Sequence, residues 1–139
     1  MKLIFCIDDN NGIMFNNRRQ SRDSVLCERV AALCEGSVLW MSEYSAKLFE
    51  DADGLKADND YMTKAGDDDF CFVEDRSLTP FKDRISGIYL FYWNRRYPAD
   101  VFFDLPLSEY EMISQEDFPG YSHDKITLQK YVHRGNRKK

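Results

Sequence analysis

The chain has 139 residues, is 43% hydrophobic and 14% aromatic, and carries a net charge of -5. That length suits one domain with a core of its own, and the acidic balance argues against a general nucleic-acid binder, which needs a basic face for phosphates. No apolar stretch approaches the roughly 20 residues of a membrane span, and Ile7 runs straight into Asp8-Asp9 where a signal peptide would stay apolar, so a cytoplasmic protein with no membrane partner is expected.

Lys2–Ile7 is almost continuously apolar, the pattern of a strand covered on both faces. The connection "DDNNGIMFNNRRQSRD", Asp8–Asp23, is dense in acids, amides and arginines. Asp23–Glu35 reads as a helix with Leu26, Val30, Leu33 and Cys34 on one stripe, Ser21 or Asp23 as its cap and Gly36 beyond its end. Val38–Met41 is a second buried strand, and Ser42 caps a helix through about Phe49, ended by the acidic "EDADG". A short helix is expected around Tyr61–Ala65, followed by a turn at "GDDD".

Phe70–Val73 is a third strand closed by Glu74-Asp75, and a helical segment near Leu78–Lys82 follows. Gly87–Trp93 is a long aromatic strand. Tyr110–Phe118 and Ile126–Arg134 flank "PGYSHDK", and Ile126 and Leu128 alternate with Thr127 and Gln129, as in an antiparallel hairpin. Strands alternate with helices and a hairpin closes the chain. This predicts a three-layer α/β domain over residues 1–134, with a mostly parallel sheet and an antiparallel hairpin at one edge, then a solvated basic tail at 135–139. Cys6, Cys27, Cys34 and Cys71 form no C-x-x-C pair and sit among apolar neighbours, so buried reduced thiols are expected. The aromatic late strands are expected to leave apolar surface that a second copy could cover as a homodimer.

In this order, several stretches resemble dihydrofolate reductase: "CIDDNNGIMFNN" its first strand and glycine-containing loop, "VLWMS" its second strand, "GIYLFYWNRRYPADVFFDLPLSEYEMISQEDF" its late strands, and "ITLQKYVHR" its last. The resemblance implies a dihydrofolate reductase-like fold and places Asp23 roughly where the family carries its substrate carboxylate. It also marks departures. The family follows its second strand with Gly-Arg-Lys/His-Thr, which holds the cofactor phosphates at a helix N-terminus; here Ser42-Glu43-Tyr44-Ser45 stands there. The family's Gly-Gly after a later strand reads Glu74-Asp75, and the Pro-Trp of the substrate loop reads Arg18-Arg19-Gln20-Ser21. Carboxylates repel phosphate, so no cofactor of the usual NADPH kind is expected. The chain also resembles short bacterial proteins labelled ribonuclease Z, which share "DD…G…FN-RRQSRD" and "NR-YPAD". That chemistry needs a His-x-His-x-Asp-His cluster for two zinc ions, whereas this chain has only His123 and His133, so no metal site is expected.

In an open α/β sheet ligands bind beyond the carboxyl ends of parallel strands. Asp8, Asp9, Ser42, Glu43, Glu74 and Asp75 fall at such ends, with Arg18, Arg19 and Arg22 in the connection above them. Those arginines either lock the loop to the acids or bind a small polar or anionic molecule. Asp23 is either a catalytic acid and carboxylate anchor or a helix cap at the positive end of the dipole. Trp40 is either core or the wall of the ligand site alongside Asp8, Asp9 and Glu74, and Arg95-Arg96 either hold phosphate or end a strand in solvent. His123 is a side chain of the type that serves as a general base but shows no paired nucleophile in sequence, and a surface position is expected for it.

Overall fold

The computed structural model describes residues 1–49, 54–76 and 78–135. The first strand, β1 (Lys2–Ile7), runs through the middle of a seven-stranded sheet. Leu3, Phe5 and Ile7 pack into one buried cluster and Ile4 and Cys6 into another on the opposite face. Successive side chains of a strand point to opposite faces, so a strand buried on both sides needs the unbroken apolar run seen here. On one flank β1 pairs in parallel with β6 (Phe70–Phe72), and on the other with β7 (Gly87–Tyr92). Outward from β6 lie β4 (Leu39–Met41) and β5 (Leu55–Ala57), both parallel.

Beyond β7 the sheet turns antiparallel: β10 (Ile126–His133) pairs with β7, and β9 (Tyr110–Phe118) pairs with β10 at the edge. The mostly parallel sheet with a closing hairpin is thus as the sequence indicates. Edge strand β9 leaves Met112 and Ile113 about half exposed.

The helix α1 (Ser24–Leu33) lays Leu26 and Val30 on one face of the sheet with Leu39, Met41 and Phe91. Asp23 is its N-cap, and Gly36, with φ +81°, takes the left-handed turn beyond its end. The second helix, α2 (Glu43–Ala46), is capped by Ser42 but is only four residues long, shorter than expected; Glu50–Asp53, read as its acidic stop, lie outside the described residues. A third, α3 (Tyr61–Lys64), buries Tyr61 and Met62 on the face away from α1. A 3-10 turn spans Thr79–Arg84. The basic tail beyond Gly135 lies outside the described residues.

One feature was not legible as structure. The polar connection after β1 folds into a second, three-stranded sheet: β2 (Gly12–Phe15) pairs with β3 (Arg18–Arg19) on one side and with β8 (Val101–Phe102) on the other. Asn16 and Asn17, with φ of 51° and 61°, make the two-residue hairpin turn between β2 and β3. A turn of that twist needs positive φ at both positions, and asparagine bears this better than other side chains do. Ile13 and Met14 anchor the small sheet in the core.

The four cysteines are free; Cys6, Cys34 and Cys71 are buried and Cys27 is half-buried, and burial pushes the Cys27 thiol up to about 11. No helix among the described residues is long and apolar enough to cross a membrane.

Candidate functional site

Three loops meet at the carboxyl ends of the parallel strands: the connection after β1, the segment after β7 around Tyr97, and the β9–β10 hairpin loop. Asp23 joins the first of these to the third, and Tyr97 of the second reaches the same cluster through His123. Its Oδ1 accepts from the N–H groups of Val25 and Leu26, which caps α1, and from the N–H of Tyr121 at 2.9 Å. Its Oδ2 accepts from Ser122 N–H and from His123 Nδ1, both at 2.9 Å. The two readings of Asp23 are therefore not exclusive. It is the cap of α1, and it is also the residue that docks the hairpin loop. Burial alone would raise its carboxyl, but the Tyr121 N–H, the His123 ring and the Ser122 and Leu26 N–H groups outweigh burial and hold it well below the usual carboxylate range.

His123 corrects the sequence reading. It is buried rather than on the surface, and its ring stacks on Trp93 with centroids 4.6 Å apart. Ionised Asp23 only accepts hydrogen bonds, so Nδ1 carries the proton and Nε2 is left as an acceptor in the neutral ring. Two hydroxyls face that nitrogen, Ser21 Oγ at 3.0 Å and Tyr97 Oη at 3.3 Å. Ser21, considered from sequence only as a helix cap, is thus a member of the site. The sequence signal was the Ser-x-Asp spacing before α1, but nothing local tied it to a histidine 102 residues away.

Gly120 is required by this docking. A Cβ there would stand 2.6 Å from Asp23 Oδ2 and 2.8 Å from Ile126 Cδ1, so the loop reaches the carboxylate only because that position has no side chain.

The other expected site residues separate. Asp8 is fully buried, and its oxygens are taken by the N–H groups of Asn10, Gly12 and Tyr97 and by Gln20 Nε2. It ties the turn after β1 to the segment after β7 and has no ligand-facing oxygen, contrary to its expected place on the rim. Asp9 is exposed and joins the second segment through its N–H on the Arg95 carbonyl. Trp40 packs half-buried against the core, one of its two expected places, and not on the ligand wall. Leu39 and Met41 face α1, so strand alternation turns Trp40 to the other face, where its indole N–H donates to Asp69 at 2.9 Å. It shares no wall with Asp23.

Glu74 and Arg19 do meet. Arg19 Nε and Nη2 each stand 3.0 Å from a Glu74 oxygen in a two-pronged ion pair, and Ser45 Oγ donates to Glu74 at 2.6 Å. The Arg19 guanidinium also lies 4.4 Å from the Tyr44 ring centre. Arg19 therefore locks the loop to the rim, one of its two expected roles. Arg18 and Arg22 are exposed, and neither has a carboxylate partner among the described residues.

With Arg19 in place the cleft between β1, β6 and α1 is nearly closed. A cavity of about 10 Å³ remains, bordered by Ser21, Asp23, Leu26, Cys27, Glu74 and Trp93, room for one water at most. A wider groove of about 340 Å³ opens on the outer side of the β2–β3 hairpin, between Phe15, Asn16, Arg18, Arg19 and Gln20 on one side and Tyr97 and Pro98 on the other.

By the resemblance, a dinucleotide's phosphates would lie at the start of α2. The residues there do not fit them. The Glu43 N–H donates to Asn59 Oδ1 at 3.0 Å and the Ser45 N–H to Ser42 Oγ at 3.1 Å. The Glu43 side chain adds a carboxylate to the same helix start and itself accepts from Asn59 Nδ2 at 3.3 Å. Among the described residues no three His, Cys, Asp or Glu side chains converge on a point that could hold a metal ion.

No family model matches the chain. No curated protein matches it by sequence. Its backbone is similar to a solved dihydrofolate reductase from Enterococcus faecalis, complexed with NADP(H) and RAB-propyl, at a TM-score of 0.68 and 9% identity over 96% of this chain and 95% of that one. At that identity the likeness concerns the backbone alone, and the chain has a dihydrofolate reductase-like fold.

Proposed function

We propose that the protein is a cytoplasmic, dihydrofolate reductase-like protein that does without the usual NADPH site and binds a small anionic molecule, in the groove beside the β2–β3 hairpin rather than in the closed cleft. The observation that carries this reading is the charge of the rim. In a chain of net charge -5, Arg18, Arg22, Arg95 and Arg96 are all exposed on the loops that follow β1 and β7, and none has a carboxylate partner among the described residues. Arg18 lines the groove beside Phe15 and Tyr97, a pairing of guanidinium and rings that suits a flat carboxylate or phosphate ester. Gln20 supports the same site. Its Nε2 is spent on Asp8 and the Pro98 carbonyl, while its Oε1 is buried without a partner and can accept from a ligand.

The occupied N–H groups at the start of α2 favour a protein that does not take a dinucleotide there. Titration of the purified protein with NADPH, followed by tryptophan fluorescence, is expected to give no saturable quenching. Titration with inorganic phosphate, followed by thermal unfolding, is expected to raise the midpoint saturably in wild type and not in Arg18→Ser. Saturable quenching by NADPH, or equal phosphate stabilisation of both proteins, overturns the reading.

A further inference from the structure

We infer that Ser21, His123 and Asp23 form a nucleophilic triad, and that the protein hydrolyses small carboxylic esters with Ser21 as the attacking group. The inference is independent of the groove and of any anion held there. Its basis is a chain of contacts: Ser21 Oγ to His123 Nε2 at 3.0 Å, and His123 Nδ1 to Asp23 Oδ2 at 2.9 Å. This is the nucleophile–base–orienter order that serine chemistry needs, and it is recognised by geometry and role rather than by fold or chain order.

Each member is held for that role. The Asp23 side chain is fully buried and bound by four backbone N–H groups, so it stays ionised and fixes the imidazole tautomer. The His123 ring is confined by its stack on Trp93. Ser21 is half-buried and sits on the irregular segment before α1, where solvent and substrate reach it. The N–H groups of Ser21 and Arg22 have no acceptor among the described residues. They are backbone donors at and next to the nucleophile in the chain, of the kind that stabilises an oxygen that becomes negative.

The reaction closes on these atoms and water. Ser21 Oγ attacks the acyl carbon while its proton passes to His123 Nε2. The carbon–oxygen bond to the alcohol breaks, and Nε2–H protonates the leaving oxygen. Water then attacks the acyl-serine through the same base, releasing the carboxylic acid and restoring Ser21. The cavity behind Ser21, about 10 Å³ between Leu26, Cys27 and Trp93, holds one water at most, so the acyl group lies on the open side of Ser21.

The test uses the full chain and two probes. A fluorophosphonate is expected to add covalently to wild type, with the mass shift mapping to the peptide that carries Ser21. Hydrolysis of 4-nitrophenyl acetate is expected to fall about 100-fold or more in Ser21→Ala, with near-ultraviolet circular dichroism unchanged. Absence of the adduct, an adduct on another residue, or equal turnover by wild type and a folded Ser21→Ala overturns the triad. If Ser21→Ala does not fold, the adduct map on wild type decides alone.

Discussion

Asp23 and His123 stand 100 residues apart in the chain and 2.9 Å apart in the fold, and no carboxylate in the described structure gathers more backbone donors than Asp23 does. One side chain thereby fastens the start of α1 to the β9–β10 loop. Removing it leaves the N–H groups of Val25, Leu26, Tyr121 and Ser122 to find other acceptors, of which the buried site has few.

Asp23→Asn is therefore expected to destabilise the protein by about 3 kcal/mol, the scale for breaking a buried charged network. The amide keeps one oxygen but turns an NH₂ group toward N–H donors and the His123 ring. Urea unfolding of the two proteins measures it. A loss under 1 kcal/mol would mean that the hairpin loop docks by its apolar contacts, Phe118 and Ile126, rather than through the carboxylate.

The same carboxylate sets an acid limb of stability. Its folded-state pKa lies below its unfolded value, so its contribution is fully present above the ordinary carboxylate pKa of about 3.9 and is lost progressively as pH falls below that point. Asp8 acts with the same sign: burial would raise it, but the Tyr97, Gly12 and Asn10 N–H groups and Gln20 together hold it low. Unfolding free energies measured from pH 5 to pH 2 are expected to fall below about pH 4 for wild type, and less steeply for Asp23→Asn. Parallel curves would show that Asp23 titrates alike in the folded and unfolded chains.

Gly120→Ala tests the close approach. Its Cβ would stand 2.6 Å from an Asp23 oxygen already fixed by hydrogen bonds, so the loop must lift by a few tenths of an ångström or more, at about 2 kcal/mol. Gly36→Ala is the control. It strains a left-handed residue with φ +81° but meets nothing within 4 Å, so its cost stays at the end of α1. Hydrogen exchange at the Tyr121 and Ser122 amides is expected to accelerate in Gly120→Ala and to stay unchanged in Gly36→Ala.

What could be read from the sequence follows from the range of the forces involved. The buried strands announce themselves in Leu3–Ile7, Phe70–Val73 and Gly87–Trp93, because a short apolar run closed by polar residues has few other uses. The small sheet did not, since β3 is two residues long and β8 another two, too short for any period. Its one local clue was Asn16-Asn17, side chains that tolerate a left-handed turn. The site failed for a different reason. Asp23 was visible as a helix cap, a local event, but its pairing with His123 depends on where a hairpin loop lands after the whole sheet has formed. Trp40 was left open between core and ligand wall, and strand parity decides it: one residue in either direction would have put it on the Asp23 face.

The Arg19–Glu74 pair carries the last expectation. Glu74 is buried, and its charge is answered by two guanidinium contacts and one hydroxyl. In Arg19→Ala only the Ser45 hydroxyl remains, and an unanswered buried carboxylate is the costly outcome, about 3 kcal/mol. Removing the charge as well should recover part of that loss, because a neutral amide at Glu74→Gln still accepts from Ser45. The double variant Arg19→Ala/Glu74→Gln is thus expected to be more stable than Arg19→Ala by about 1–2 kcal/mol in urea unfolding. A double variant no more stable than the single one would locate the cost of losing Arg19 elsewhere, in its stacking on Tyr44 and the closure of the cleft, rather than in the stranded charge.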